Sequence, residues 1–126
     1  MRKALTLIAA LAVLAGSVQS APAELGMEIM QNIEDLNTSL SNHIALRDPK
    51  GSTSDAKELE TLFGEVEAHC VQRGDAENAV DLSRKSRVLA QRIVTLVEAR
   101  DFDNATHAAT DLSRTCKTCH TFYKKE

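Results

Sequence analysis

Hydrophobic residues recur along this chain at intervals of three and four, and the recurrence breaks in three places. From about Glu24 to Arg47 the apolar positions are Leu25, Ile29, Ile33, Leu36, Leu40 and Ile44. At about 100° per residue these fall within roughly a third of a helix circumference, which predicts an amphipathic helix with one buried stripe. Asp48-Pro49-Lys50-Gly51 interrupts it, because proline disfavours helix in the residue before it and glycine permits a turn. A second helix is predicted from the capping residue types at Ser52 to Asp55 through Arg73, with Leu59, Leu62, Phe63, Val66 and Cys70 on one face and Gly74 as a left-handed stop. Asp75 can cap a third, striped by Val80, Leu82, Leu89, Ile93, Leu96 and Val97 and ending around Asp101-Phe102. Asp103 or Asn104 can cap a fourth, which carries Ala105, Ala108, Ala109, Leu112, Cys116, Cys119 and Tyr123. No alternating run of Val, Ile and Thr predicts a strand.

Four such helices cannot bury their stripes singly, and the connections are too short for anything but antiparallel neighbours. The predicted fold is therefore all-α, an antiparallel four-helix bundle forming one domain over residues 24–126. The first 23 residues stand apart. Met1-Arg2-Lys3 gives a positive start, Ala4 to Gly16 is an almost unbroken apolar run, and small residues follow. This is the pattern of a secretory signal peptide, and cleavage after Ser20 or after Ala23 both satisfy the small-x-small rule. The run falls short of the roughly 20 apolar residues that span a bilayer, so no membrane attachment is expected after cleavage.

Composition adds two constraints. The chain has no Trp, one Tyr and three Phe in 126 residues, a core poor in large side chains that a bound apolar cofactor would complete. Loss of Arg2 and Lys3 with the leader moves the net charge from −3 to about −5, which argues against nucleic acid or an anionic membrane surface as partner.

The chemistry is concentrated in Cys116-Lys117-Thr118-Cys119-His120. Cys-x-x-Cys-His is the attachment sequence for c-type haem. On a helix, residues three apart share a face, so both thiols can reach the two vinyl groups on one porphyrin edge, and His120 can turn its imidazole to the iron. A thioredoxin-like redox pair would sit at the start of a helix after a strand, and no strand is predicted here. A zinc site needs further ligands at short spacing, whereas His43, His69 and His107 are scattered singly. A disulfide within one helical turn is sterically awkward.

A leader, four helices and this motif close to the C-terminus together resemble the class II c-type cytochromes, the cytochrome c′ family. The resemblance covers the architecture of the whole mature chain and is sharpest from Glu98 to Lys125, where Phe122-Tyr123-Lys124 looks like the family's aromatic-basic segment after the histidine. It implies one covalently attached haem c on Cys116 and Cys119, with His120 as axial ligand. In this family the first helix covers the other face of the haem, with an apolar residue in the gas-binding branch and a methionine in the low-spin branch. Met27-Glu28-Ile29-Met30 resembles the Met-x-x-Met of the low-spin branch, which would make Met27 the sixth ligand. The apolar stripe instead favours Met30, at its edge, with Met27 about 60° further round. The family often has an arginine one turn before the distal residue; here Ala23 or Gly26 takes that place, and the first helix has no basic residue before Arg47.

The remaining candidates read as quieter. Cys70 falls on the apolar face of the second helix as a packed thiol, with a bridge between two subunits as the alternative. His43, His69 and His107 read as surface or boundary residues, and Arg84-Lys85-Ser86-Arg87 as a solvated face. The function expected is single-electron transfer in the periplasm by a His/Met haem exchanging electrons with transient protein partners. The alternative is a five-coordinate haem protein that binds nitric oxide or carbon monoxide. Neither makes the chain an enzyme, and no nucleophile, general base or carboxylate pair is arranged for catalysis. The resemblance also allows a homodimer through the first two helices.

Overall fold

The computed structural model describes residues 27–74 and 77–123, with side chains up to residue 120. The predicted leader, the Asp75 cap and the segment Phe122-Tyr123-Lys124, apart from the backbone of its first two residues, lie outside that description. Four helices follow one another: α1 (Met27–Ala45), α2 (Pro49–Arg73), α3 (Glu77–Glu98) and α4 (Phe102–Tyr123). No strand occurs among the described residues. Each helix packs on its two neighbours in a closed ring, α1 on α2, α2 on α3, α3 on α4 and α4 on α1. The predicted bundle is the observed one.

The corners differ from expectation in a consistent way. The second helix was expected to start after the 48–51 break, but Asp48 is itself the cap. Its backbone is extended, its carboxylate accepts from the N–H groups of Lys50 and Gly51 at 3.1 Å each, and Pro49 opens the helix. Proline at the first helical position loses no bond and arrives with its φ already set, so the residue that reads as a breaker is a starter. The same correction holds at α4. Asp101, rather than Asp103 or Asn104, is the cap, accepting from the Asn104 backbone at 3.1 Å and from its side chain at 2.7 Å.

Both aspartates follow an arginine in the left-handed region, Arg47 at φ 51° and Arg100 at φ 59°. At each corner the arginine N–H returns to the carbonyl three residues back, and the aspartate N–H to the one five back. These are Schellman closures, built twice from Arg-Asp instead of glycine. Gly74, at φ 65°, closes α2 as expected.

The core is uneven along the bundle axis. Leu40, Leu59, Ile93, Val97 and Leu112, its largest fully buried side chains apart from Ser52, lie from the middle towards the α1–α2 corner. Along α3 the buried positions are Ala79, Ser83, Ser86 and Ala90 before the first large residue, Ile93, is reached. Of the stripe expected there, Ile93 and Val97 are fully buried, while Val80, Leu82, Leu89 and Leu96 are half-buried. Small residues allow closer helix approach, so they and not the leucines hold the centre of that face.

Candidate functional site

The Cys-x-x-Cys-His motif occupies the last third of α4. Because α4 runs antiparallel to α1 and α3, this is the end of the bundle that holds the first turns of α1 and α3 and the last turns of α2. Cys116 and Cys119 are half-buried on one side of α4, and His120, the next residue, is exposed. None of Cys70, Cys116 and Cys119 is held in a disulfide. Burial pushes both motif thiols above the ordinary cysteine value, and at Cys119 the neighbouring thiols of Cys70 and Cys116 push further in the same direction. Cys70 is buried at 6% exposure, as its place on the apolar face predicts, and it sits near enough to Cys119 for the two to interact.

From α1, the Asn37 side-chain amide donates to Cys116 Sγ at 3.5 Å, which partly offsets the effect of burial on that thiol. Sequence reading missed Asn37 because a lone asparagine beside an apolar stripe looks like part of the solvated face. One and two turns nearer the start of α1 lie Ile33, buried, and Met30, half-buried and packed against the core. Met27 is 89% exposed. The helix face therefore separates the two methionines as the stripe predicts.

The donor set suits a covalently held ring, two thiols three residues apart on one side of α4 with a histidine next to them. At the end of the bundle where the two thiols sit, the fully buried positions of α3 are Ala79, Ser83, Ser86 and Ala90, with Val80 and Leu89 half-buried against a core that Ile33 of α1 and Val66 and Cys70 of α2 also fill. His69, on α2 at the same end, has its Nε2 buried with no hydrogen-bond partner among the described residues. Among those residues no group of three or more His, Cys, Asp or Glu side chains is placed to hold a metal ion by itself.

Two other polar clusters have structural roles. Ser39 Oγ donates to Asp55 Oδ2 at 2.7 Å, and His43 Nδ1 meets the same oxygen at 2.7 Å, with His43 Nε2 3.9 Å from Asp48. The residue types are those of a serine hydrolase, but the serine gives its proton to the carboxylate and not to the imidazole, so the cluster ties α1 to α2 without activating a nucleophile. On α3, Arg84 and Arg87 each reach Glu67 of α2 at 3.1 Å, while Ser86 is buried. The basic run expected as a solvated face is thus partly a helix-to-helix tie. His107 is exposed, as expected.

The chain matches no family model, no curated protein and no solved structure.

Proposed function

We propose that this protein is a monohaem c-type cytochrome that carries single electrons in the periplasm. The observation that supports it most strongly is the Cys-x-x-Cys-His sequence late in α4, with both thiols half-buried on one side of the helix. Cys116 and Cys119 would hold the ring through two thioethers, His120 would supply one axial nitrogen, and Met30 the axial sulfur from α1. When bound, haem supplies a one-electron iron couple, and methionine opposite histidine raises its potential.

The chain's own residues suit that task. Leu40, Leu59, Ile93, Val97 and Leu112 form a rigid block beneath the site, which limits rearrangement between oxidation states. Burial raises both the Cys116 and the Cys119 thiol, so the two side chains that would carry the ring are partly shielded from solvent. The acidic surface expected of the mature chain favours transient encounters with basic patches on protein partners.

The test is a pair of absorption spectra. Protein made in a host with a periplasmic haem-attachment system should be low-spin in both ferric and ferrous forms, and carbon monoxide should barely change the ferrous spectrum. High-spin spectra with ready carbon monoxide binding would contradict methionine ligation and favour a gas-binding role.

A further inference from the structure

The negative charge of this protein is unevenly shared among its helices. α1 carries Glu28, Glu34 and Asp35 and no lysine or arginine, and α2 carries five acidic residues against three basic. α3 reverses the balance with four basic against three acidic. α4 holds its acidic residues, Asp103 and Asp111, before Leu112, and its basic ones, Arg114 and Lys117, after it. Two of the α3 arginines are engaged within the fold, since Arg84 and Arg87 both reach Glu67 of α2. Lys85 and Arg92 are exposed and make no ion pair among the described residues.

The contacts of Arg84, Arg87 and Gln91 fix the α2 side of α3. On the opposite side of the buried stripe stand Leu82, Leu89 and Leu96, half-buried towards α4, with Lys85 and Arg92 exposed beyond them. On α4 the Asn37 contact marks the α1 side at Cys116, which puts Asp111, Arg114 and Thr118 on the side of α3. Lys85 lies about 20 Å along α3 from the α3–α4 corner and Arg114 about 18 Å along α4, so the two are level with each other and with Cys116. Asp111, 3.6 Å from Arg114, offsets part of that charge. Val88, 52% exposed, falls between Lys85 and Arg92 on the outer ridge of α3. An exposed apolar side chain within a charged rim is the anatomy of a protein-docking surface, and the sign of the rim selects a partner of the opposite sign. A lipid surface is engaged by a continuous apolar helix face, whereas the apolar residue exposed between these charges is a single valine.

We propose that the outer face of α3 and the later half of α4, carrying Lys85, Val88, Arg92 and Arg114, docks an electron-carrying protein through an acidic patch on that partner. This rests on the covalent-haem reading above, and it gives the face beside the motif the opposite sign to the molecule as a whole. A plant-type ferredoxin, itself strongly acidic, serves as the probe, because net charge alone predicts that two acidic proteins meet faster as salt rises. Reduction of the ferric holoprotein by reduced ferredoxin should instead slow as salt rises. At low salt Lys85→Glu and Arg92→Glu should each lower the second-order rate about threefold or more. Lys50→Glu, the same change in net charge at the first turn of α2, should lower it clearly less. A wild-type rate that rises with salt, or one that all three variants lower equally, would overturn the proposal. So would binding of the holoprotein to phosphatidylglycerol vesicles that Lys85→Glu abolishes while leaving the ferredoxin rate unchanged, which would assign the face to an anionic membrane. The mass of the protein tests the haem reading separately. Should that mass show no haem, nitrogen-15 amide shifts on adding oxidised ferredoxin still decide the docking face. Perturbation centred on residues 85–92 and 111–118 agrees with it, and perturbation centred on α1 and α2, or none, refutes it.

Discussion

Three side chains of α1 carry separable expectations. Asn37 reaches a motif thiol from across the bundle, and its hydrogen bond lowers the Cys116 value that burial raises. In the haem-free protein, Asn37→Leu, close in size but without a donor, should therefore move the pH midpoint of Cys116 alkylation upward, as followed by the mass of the Cys116 peptide. An unchanged midpoint would mean that the 3.5 Å contact does not act on the thiol. Met30 and Met27 separate more sharply. Met30→Ala should convert the holoprotein from low-spin to high-spin, whereas Met27→Ala, at a position 89% exposed, should leave the absorption spectrum as it is. At this scale the sequence singles out Cys116, Cys119 and His120 by their fixed spacing, and the structure puts both thiols half-buried on one side of α4. The sequence was least legible for Asn37, whose significance comes from the thiol that lies across from it, and periodicity within one helix holds no such information.

The helices and their corners were legible in type and position but not in their ends. Pro49 reads as a stop in the sequence and acts as a start, because its effect depends on whether Asp48 can bond the two N–H groups that follow. At the same corner, a Cβ on Gly51 would sit 2.7 Å from the His43 ring. Gly51→Ala should thus destabilise the fold by about 1–3 kcal/mol in denaturant unfolding, despite alanine's better helix propensity, since the His43–Asp55 contact holds the ring in place. A neutral or stabilising result would show that the corner yields freely. The α4 corner responds to pH. Hydrogen bonds from the Asn104 side chain and backbone hold the Asp101 carboxyl below the usual aspartate value. A carboxyl lowered on folding contributes fully above its unfolded value, about 3.9, and the contribution is lost as pH falls through the folded value. Amide-exchange protection in the first turn of α4 should decline in that acidic window, and Asp101→Asn, which caps without titrating, should remove the dependence on pH.

Across the molecule, the four apolar stripes, the short connections and the absence of alternating runs already specified a four-helix bundle. The stripes did not reveal how its core is graded. Ala79, Ser83 and Ser86 are too small or too polar to count in a hydrophobic pattern, yet they occupy the centre of α3 while the larger Val80, Leu82 and Leu89 are pushed to its flanks. On α3, then, small side chains are buried at the end bearing the motif, beside Ile33 of α1 and Val66 and Cys70 of α2. The account rests on haem held by Cys116 and Cys119. The most direct measurement is the mass of the purified protein after denaturation and acid extraction, followed by peptide mapping. One haem should remain bound, its mass carried by a peptide containing both Cys116 and Cys119, with Cys70 still open to alkylation. A haem-free mass, with all three cysteines open to alkylation, would contradict the account.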